Sequence, residues 1–360
     1  MVRAQALKDP GRGKFPPTQA QVLIVDDSSV ARSVLGRMVE GTRRFRVAAA
    51  LADVSAALDY LHAHRVDVVL LDIDMPGIDG LTGLPDVLAA GGGAKVLVVS
   101  SAADEGAAVT VQALALGAAD TLVKPGVGTF GGRFAEVLEE RLSRLVEAPI
   151  EPVTVSDLPA DPSRVATSDD FDLVAIGAST GGIHALSQLL RAIPASFTVP
   201  ILVTQHLPPA FMPYFAAQLA VLGGRPCAVA TDRMRIQPGR IIVAPGDAHM
   251  RVVRTSDGAA IRLSQEKCAS GCVPSVDPMF ESVADVFGSR ALGVVLSGMG
   301  RDGTEGAQRL ADAGARVLVQ DRASSVVWGM PGSVANAGHA SAVMAPEEIG
   351  RLMARKGRGG

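Results

Sequence analysis

The chain is predicted to be an α/β protein. A (βα)5 domain occupies 20–146, an interdomain linker 147–170, and a doubly wound, mostly parallel domain with a β-hairpin insertion 171–348. Three features carry this expectation. Short β-rich runs alternate with longer helix-like segments, the pattern of βαβ units on a parallel sheet. The proline-rich stretch "EAPIEPVTVSDLPADPSRVATSDD" then interrupts the alternation with no helical or strand period. A second alternating series follows it. With 48% apolar and 20% charged residues among 360, each half has the means to bury its own core.

In the first series the strand-like runs are "VLIV" (22–25), "RVAAAL" (46–51), "DVVLLD" (67–72), "KVLVVS" (95–100) and "DTLVKP" (120–125). Functional groups of an open parallel sheet gather at the carboxyl ends of its strands. Those ends carry Asp26 and Asp27 after the first run, Asp72 after the third, Ser100 after the fourth and Lys124 after the fifth. Converging carboxylates repel unless a hard cation sits among them, and Mg²⁺ takes one or two carboxylates together with waters and a phosphate. Helix capping explains any one of these aspartates but not the whole set. The pattern predicts a pocket for a divalent cation and a phosphoryl group.

The second series runs through "DLVAIGAS" (172–179), "VPILVTQH" (199–206), "ALGVVLSG" (291–298) and "ARVLVQD" (315–321). Between these runs "RIIVAPGDAHMRVVR" and "AAIRLSQ" read as an inserted hairpin. Within "VAIGASTGGIHAL", Ser179 stands at a glycine-flanked strand-to-helix turn. A dinucleotide fingerprint needs a glycine where Ser179 stands, and a P-loop needs a lysine that does not follow. What remains is Gly177-x-Ser179-x-Gly181, the spacing of a nucleophile elbow, although a serine N-cap accounts for this stretch alone equally well.

A serine hydroxyl needs a base, and the base needs a group to orient it. Of six histidines, His62 and His64 belong to the first domain, His184 lies on the helix after the serine, and His339 has no strand before it. His206 ends a strand-like run and is therefore the expected base, with Asp302, at the glycine-rich turn of "ALGVVLSGMGRDGTEG", as the acid. The chain order Ser, His, Asp differs from the Ser, Asp, His of ordinary α/β-hydrolases.

Composition narrows the remaining classes. No apolar window approaches the ~20 residues of a membrane span, and the N-terminus lacks a signal-like apolar region, so a soluble cytoplasmic protein is expected. Cys227, Cys268 and Cys272 are too few for a disulfide framework, and Cys268 and Cys272 near His249 lack four-ligand zinc spacing. They are expected to be reduced thiols that pack or lie on the surface. A net charge of −3 and a short basic tail without aromatics argue against nucleic acid as a partner.

Two family resemblances rest on these residues. Asp26, Asp27, Asp72, Ser100 and Lys124, with "MPGIDG" after Asp72, resemble the flavodoxin-like receiver domain of response regulators. By that resemblance Asp72 accepts a phosphoryl group from a histidine kinase, and Asp26, Asp27 and Asp72 hold Mg²⁺ with the backbone carbonyl of Asp74. Ser100 and Lys124 bind the phosphoryl oxygens. Thr121 stands where many receivers have an aromatic residue.

"VAIGASTGG", "TQHLPPAF", "VAPGDAHM", "VPSVDPMFESVA", "SGMGRDG" and "VVWGMP" resemble in order the blocks of the CheB family of chemotaxis methylesterases. The resemblance implies Ser179 as nucleophile, His206 as base and Asp302 as orienting acid, with Thr180 and the Met299 amide beside the developing oxyanion. It implies hydrolysis of γ-glutamyl methyl esters, and deamidation of glutamines, on a methyl-accepting chemoreceptor, with no cofactor for the esterase and no membrane insertion. Arg301 and Val273 depart from the blocks, where asparagine and arginine are common. A phosphorylation-controlled interaction or phosphate-sink module on the same fold is the alternative that these departures favour.

Overall fold

The structure, a computed structural model, describes residues 19–100, 104–124, 132–146 and 171–355. The expected linker at 147–170 lies outside the described residues. In the first unit the strands are β1 (Ala20–Val25), β2 (Phe45–Leu51), β3 (Val68–Asp72), β4 (Lys95–Ser100) and β5 (Asp120–Val123). They form a parallel sheet in the order β2-β1-β3-β4-β5. Its helices are α1 (Ser29–Gly41), α2 (Val54–Ala63), α3 (Gly80–Gly91), α4 (Asp104–Leu116) and α5 (Gly132–Val146).

β3 is buried along its whole length, as a strand covered on both faces must be, which is why "VVLLD" is apolar without alternation. The βα turns are fixed locally: Ser28, Asp53 and Asp79 each accept a first-turn amide hydrogen, from Ala31, Ala56 and Thr82. On α5, Leu138, Leu142 and Leu145 recur at helical spacing and are buried against the first sheet.

In the second unit the strands are β6 (Leu173–Ala178), β7 (Ile201–Gln205), β8 (Cys227–Val229), β9 (Ile241–Val243), β10 (His249–Thr255), β11 (Gly258–Ser264), β12 (Ala291–Val295), β13 (Arg316–Gln320) and β14 (Ala342–Met344). The helices are α6 (Gly182–Arg191), α7 (Met212–Gly223), α8 (Val276–Phe287), α9 (Thr304–Asp312), α10 (Met330–Asn336) and α11 (Pro346–Ala354). Seven strands form a parallel sheet in the order β14-β13-β12-β6-β7-β9-β8, and β10 and β11 pair antiparallel beside it.

The expected hairpin is therefore smaller than the sequence suggested. "RIIV" does not belong to it: Ile241, Ile242 and Val243 are buried on both faces and enter the main sheet between β7 and β8. β10 begins at His249 and alternates buried with partly exposed positions, because only one of its faces packs on α8. The strands β8 and β14 were not anticipated; each is three residues long, too short to show a period.

The two units share an apolar cluster. Val111, Leu114 and Ala115 of α4, with Ala118 in the turn after it, continue into Ile183, Leu186 and Leu190 of α6 and Phe215 of α7. Ser187 Oγ donates to Ala115 O at 3.3 Å, and the Gly181 amide donates to Ala119 O at 3.2 Å.

Candidate active site and phosphoryl pocket

Ser179 follows β6, the strand between β12 and β7. The chain turns at Gly181, whose φ of +77° suits glycine, and a Cβ there would stand 2.4 Å from Val326 Cβ. Helix α6 begins at the next residue, leaving Ser179 at the carboxyl rim of the sheet. Its amide donates to Ser297 O at 3.0 Å and its carbonyl accepts from Gln205 Nε2 at 2.9 Å, so the turn is pinned from both neighbouring strands.

His206 is the first residue after β7, and its amide donates to Ala178 O at 3.2 Å. Its Nδ1 lies 3.1 Å from Ser179 Oγ and its Nε2 2.7 Å from Asp302 Oδ2. The carboxylate only accepts, so in the neutral imidazole Nε2 carries the hydrogen and the bare Nδ1 is left to accept from the serine hydroxyl. Asp302 lies beyond β12, in the turn that opens α9, and is 2% exposed. The three side chains picked from the sequence thus converge at adjacent strand ends.

Asp302 is held from the other side by the start of α8. Ser275 Oγ donates to its Oδ1 at 2.6 Å and the Val276 amide to its Oδ2 at 2.8 Å, so a helix N-terminus faces the carboxylate. Ser275 is itself anchored: its amide donates to His249 Nδ1 at 3.0 Å, and His249 Nε2 donates to Glu266 O at 2.8 Å. Sequence reasoning missed Ser275 and His249. The serine before the helical run marks a helix start, but nothing local says what that start faces.

The electrostatics follow from these contacts. Burial opposes ionisation of Asp302, yet the His206 bond and charge, with the Ser275 and Val276 bonds, outweigh it and hold the carboxyl down at about 2. Burial first, and then the charge of Asp302, push neighbouring Asp277 up to about 7. For His206, burial would lower the pKa, but the bonds and charges of Asp302 and Cys272 outweigh it and lift it to about 9. Cys272 was expected to be an ordinary packing or surface thiol; instead its Sγ forms one cluster with His206 and Asp302, ligand atoms within 4.8 Å of one another. Cys268 lies 3.4 Å from His249 Nε2.

Thr180 and Met299 line the same cavity as Ser179 and His206, about 300 Å³ in volume. The glycine before Met299 permits this: a Cβ on Gly298 would lie 2.9 Å from Ser179 Cβ and 2.3 Å from Met330 Sδ. The cavity's opposite wall comes from the first unit, through Leu114, Ala118, Ala119, Arg141 and Arg144. His184, set aside in the sequence, packs there too, its Nδ1 3.2 Å from Ala115 O. Arg301 is exposed, and its guanidinium pairs with neither Asp302 nor any other described residue. Val273 is 52% exposed, outside the Ser179–His206–Asp302 chain of bonds.

In the first unit Asp26, Asp27 and Asp72 bring carboxylate oxygens within 4.8 Å of one another. Lys124 Nζ lies 2.7 Å from Asp72 Oδ2 and 2.9 Å from Asp26 Oδ2. Burial raises the Asp72 pKa despite Lys124; Lys124 is itself raised, its two carboxylate partners outweighing burial. Three carboxylates and one ammonium leave two negative charges, and hard oxygen donors at this spacing fit Mg²⁺. Ser100 is buried with its Oγ 3.2 Å from Thr110 Oγ1, Asp74 is exposed, and Thr121 is half-buried in β5.

Known proteins resemble the chain over both units. The CheB methylesterase family profile matches residues 174–353, and the response regulator receiver domain profile matches 22–128. The chain belongs to the CheB methylesterase family. Among its relatives, protein-glutamate methylesterase/protein-glutamine glutaminase 2 of Caulobacter vibrioides is 41% identical, covering 94% of this chain and 99% of its own. The protein of that name in Pseudomonas aeruginosa is 37% identical over 94% of this chain and 98% of its own. Of solved structures, the CheB methylesterase catalytic domain of Thermotoga maritima is similar with a TM-score of 0.50 and 33% identity, covering 51% of this chain and 97% of that one.

Proposed function

We propose that this family member is a cytoplasmic, phosphorylation-regulated protein-glutamate methylesterase, acting on γ-glutamyl methyl esters of a chemoreceptor and also deamidating glutamines. The observation that carries this reading is the unbroken Ser179–His206–Asp302 chain of hydrogen bonds at one sheet rim. His206 Nδ1 takes the Ser179 proton as Oγ attacks the ester carbonyl, and the imidazolium that forms is balanced by Asp302. The same proton then passes to the departing methoxide, which leaves as methanol. Water, deprotonated by His206, hydrolyses the acyl-enzyme to free glutamate. Thr180 and the Met299 amide flank the developing oxyanion, where preorganised donors lower the barrier by about 3–4 kcal/mol.

The receiver supplies control. Asp72 takes a phosphoryl group from a histidine kinase, Lys124 and Ser100 bind its oxygens, and Asp26, Asp27 and Asp72 with the Asp74 carbonyl would hold Mg²⁺. When bound, that cation neutralises the pocket and the incoming phosphate. The contact of α4 with α6 supports a closed form in which the receiver restricts access to Ser179, and phosphorylation biases the equilibrium toward opening. Val273 and Arg301 lie outside the catalytic hydrogen bonds, so the geometry gives no support to a purely non-enzymatic module.

Two tests follow. Methanol release from methylated receptor membranes is expected to rise several-fold when acetyl phosphate and Mg²⁺ are added. Asp72→Asn is expected to keep the unstimulated rate and lose the rise. Release that phosphodonor leaves unchanged removes the regulatory part; no release at all removes the esterase.

The second test is pH dependence. Only neutral imidazole accepts the serine proton, so kcat/KM is expected to climb with pH through an inflection above the ordinary 6.5 and toward about 9. Cys272→Ala removes one of the contributions that raise it and moves the inflection down. Because the folded pKa is raised, the stabilisation is complete below 6.5 and lost as pH rises through about 9. Thermal melts across that range check it, the melting temperature falling toward the alkaline end.

A further inference from the structure

A second cavity, about 720 Å³, adjoins the Ser179 pocket, and Met299 and Arg144 line both. The segment from Gly298 to Arg301 is the partition: a Cβ on Gly298 would touch Ser179, while the Gly298 carbonyl accepts from the Gly329 and Met330 amides beside Trp328. On the far side Arg301, Arg322 and Trp328 line the cavity, and among the described residues no carboxylate lines it. Both arginines are exposed, and neither guanidinium has a hydrogen bond or ion pair among the described residues. The cavity is thus a concentration of positive charge in a chain whose formal net charge is −3.

We propose that this groove is a specificity subsite for acidic side chains flanking the target glutamyl ester, with Arg301 and Arg322 reading the charge and Trp328 packing against the aliphatic part of the same segment. The inference rests on the esterase reading and names the chemistry of its substrate. The ester itself is neutral, so the chemical step leaves the choice among esters to neighbouring groups, and the cationic wall begins at Arg301, two residues from Met299. A guanidinium presents its donors in a planar fork that matches a carboxylate, and neither Arg301 nor Arg322 gives up a partner among the described residues to form such paired hydrogen bonds. Arg144 belongs to α5 of the receiver, so its withdrawal on opening leaves Arg301 and Arg322 as the recognising pair.

The test uses the full chain carrying Ser179→Ala, so that bound ester persists, with acetyl phosphate and Mg²⁺ present. The ligands are helical peptides with one central glutamyl methyl ester, flanked one turn away on both sides by glutamate, glutamine or lysine. The glutamate-flanked peptide is expected to bind roughly tenfold tighter than the glutamine-flanked one, and to lose that advantage in high salt. Arg301→Gln with Arg322→Gln is expected to equalise the two, and Arg301→Glu with Arg322→Glu to invert the order in favour of lysine flanks. Equal binding by the parent protein, or a preference that survives the double glutamine variant, overturns the proposal. Binding is read without turnover, so a failed esterase assay and a failed subsite give different results.

Discussion

Ser179→Ala is expected to abolish receptor demethylation while leaving the fold in place. Removing one oxygen deletes the proposed nucleophile and the partner of His206 Nδ1, but Ser179's backbone remains pinned by the Ser297 carbonyl and Gln205 side chain. The drop in kcat is expected to reach about 10⁴-fold or more, as when a triad nucleophile is removed from other serine hydrolases. His206→Ala should cost a comparable factor, and the double variant hardly more than either, because the two act as one unit. Methanol release and a circular dichroism melt on the three variants check this. Activity within tenfold of the parent protein in Ser179→Ala would remove the serine mechanism.

Asp302→Ala is expected to damage both activity and stability. The carboxylate is buried and accepts bonds from Ser275, Val276 and His206, so its loss strands donors at the start of α8 as well as the imidazole. Breaking such a buried charged network costs about 3–5 kcal/mol, and the misoriented base reduces kcat by about 10⁴-fold. Asp302→Asn separates the two effects. An amide keeps an acceptor for Ser275 and most of the packing, but its NH₂ group accepts from neither the Val276 amide nor Nε2–H. Part of the stability is therefore expected to return while kcat stays low, read as the melting temperature against methanol release. Because the Asp302 carboxyl is depressed from 3.8 to about 2, its contribution to stability is full above the ordinary carboxylate range and fades as pH falls toward 2. The melting temperatures of parent and Asp302→Ala proteins are accordingly expected to converge in acid.

The network around Asp302 also shows where one-dimensional reasoning stops. His249 and Ser275 come from the hairpin and from the start of α8, and they meet the acid only because α8 packs on β10 and α9. Cys272 lies in a loop with no regular pattern, and its approach to His206 is a property of that loop's path. A solitary cysteine carries no address in its neighbours. Arg301 illustrates the reverse: its sequence position next to Asp302 suggests a charge contact, yet across the turn at Gly300 and Gly303, both with positive φ, Arg301 lines the larger cavity while Asp302 is buried against His206.

What the sequence determined by itself was the chemistry available and its rough position. Apolar runs without alternation mark parallel strands, and a polar residue at the end of such a run must emerge at the sheet's carboxyl rim, so Asp72, Ser179 and His206 were legible from spacing alone. Only the tertiary structure decided which rims are neighbours. The order β12-β6-β7 brings together residues separated by 96 positions in the chain, and the packing of α4 on α6 makes the receiver a wall of the esterase cavity. Strand order is set by how helices cover the two faces of the sheet. That is a sum over many weak, distant contacts, which no local run of residues records.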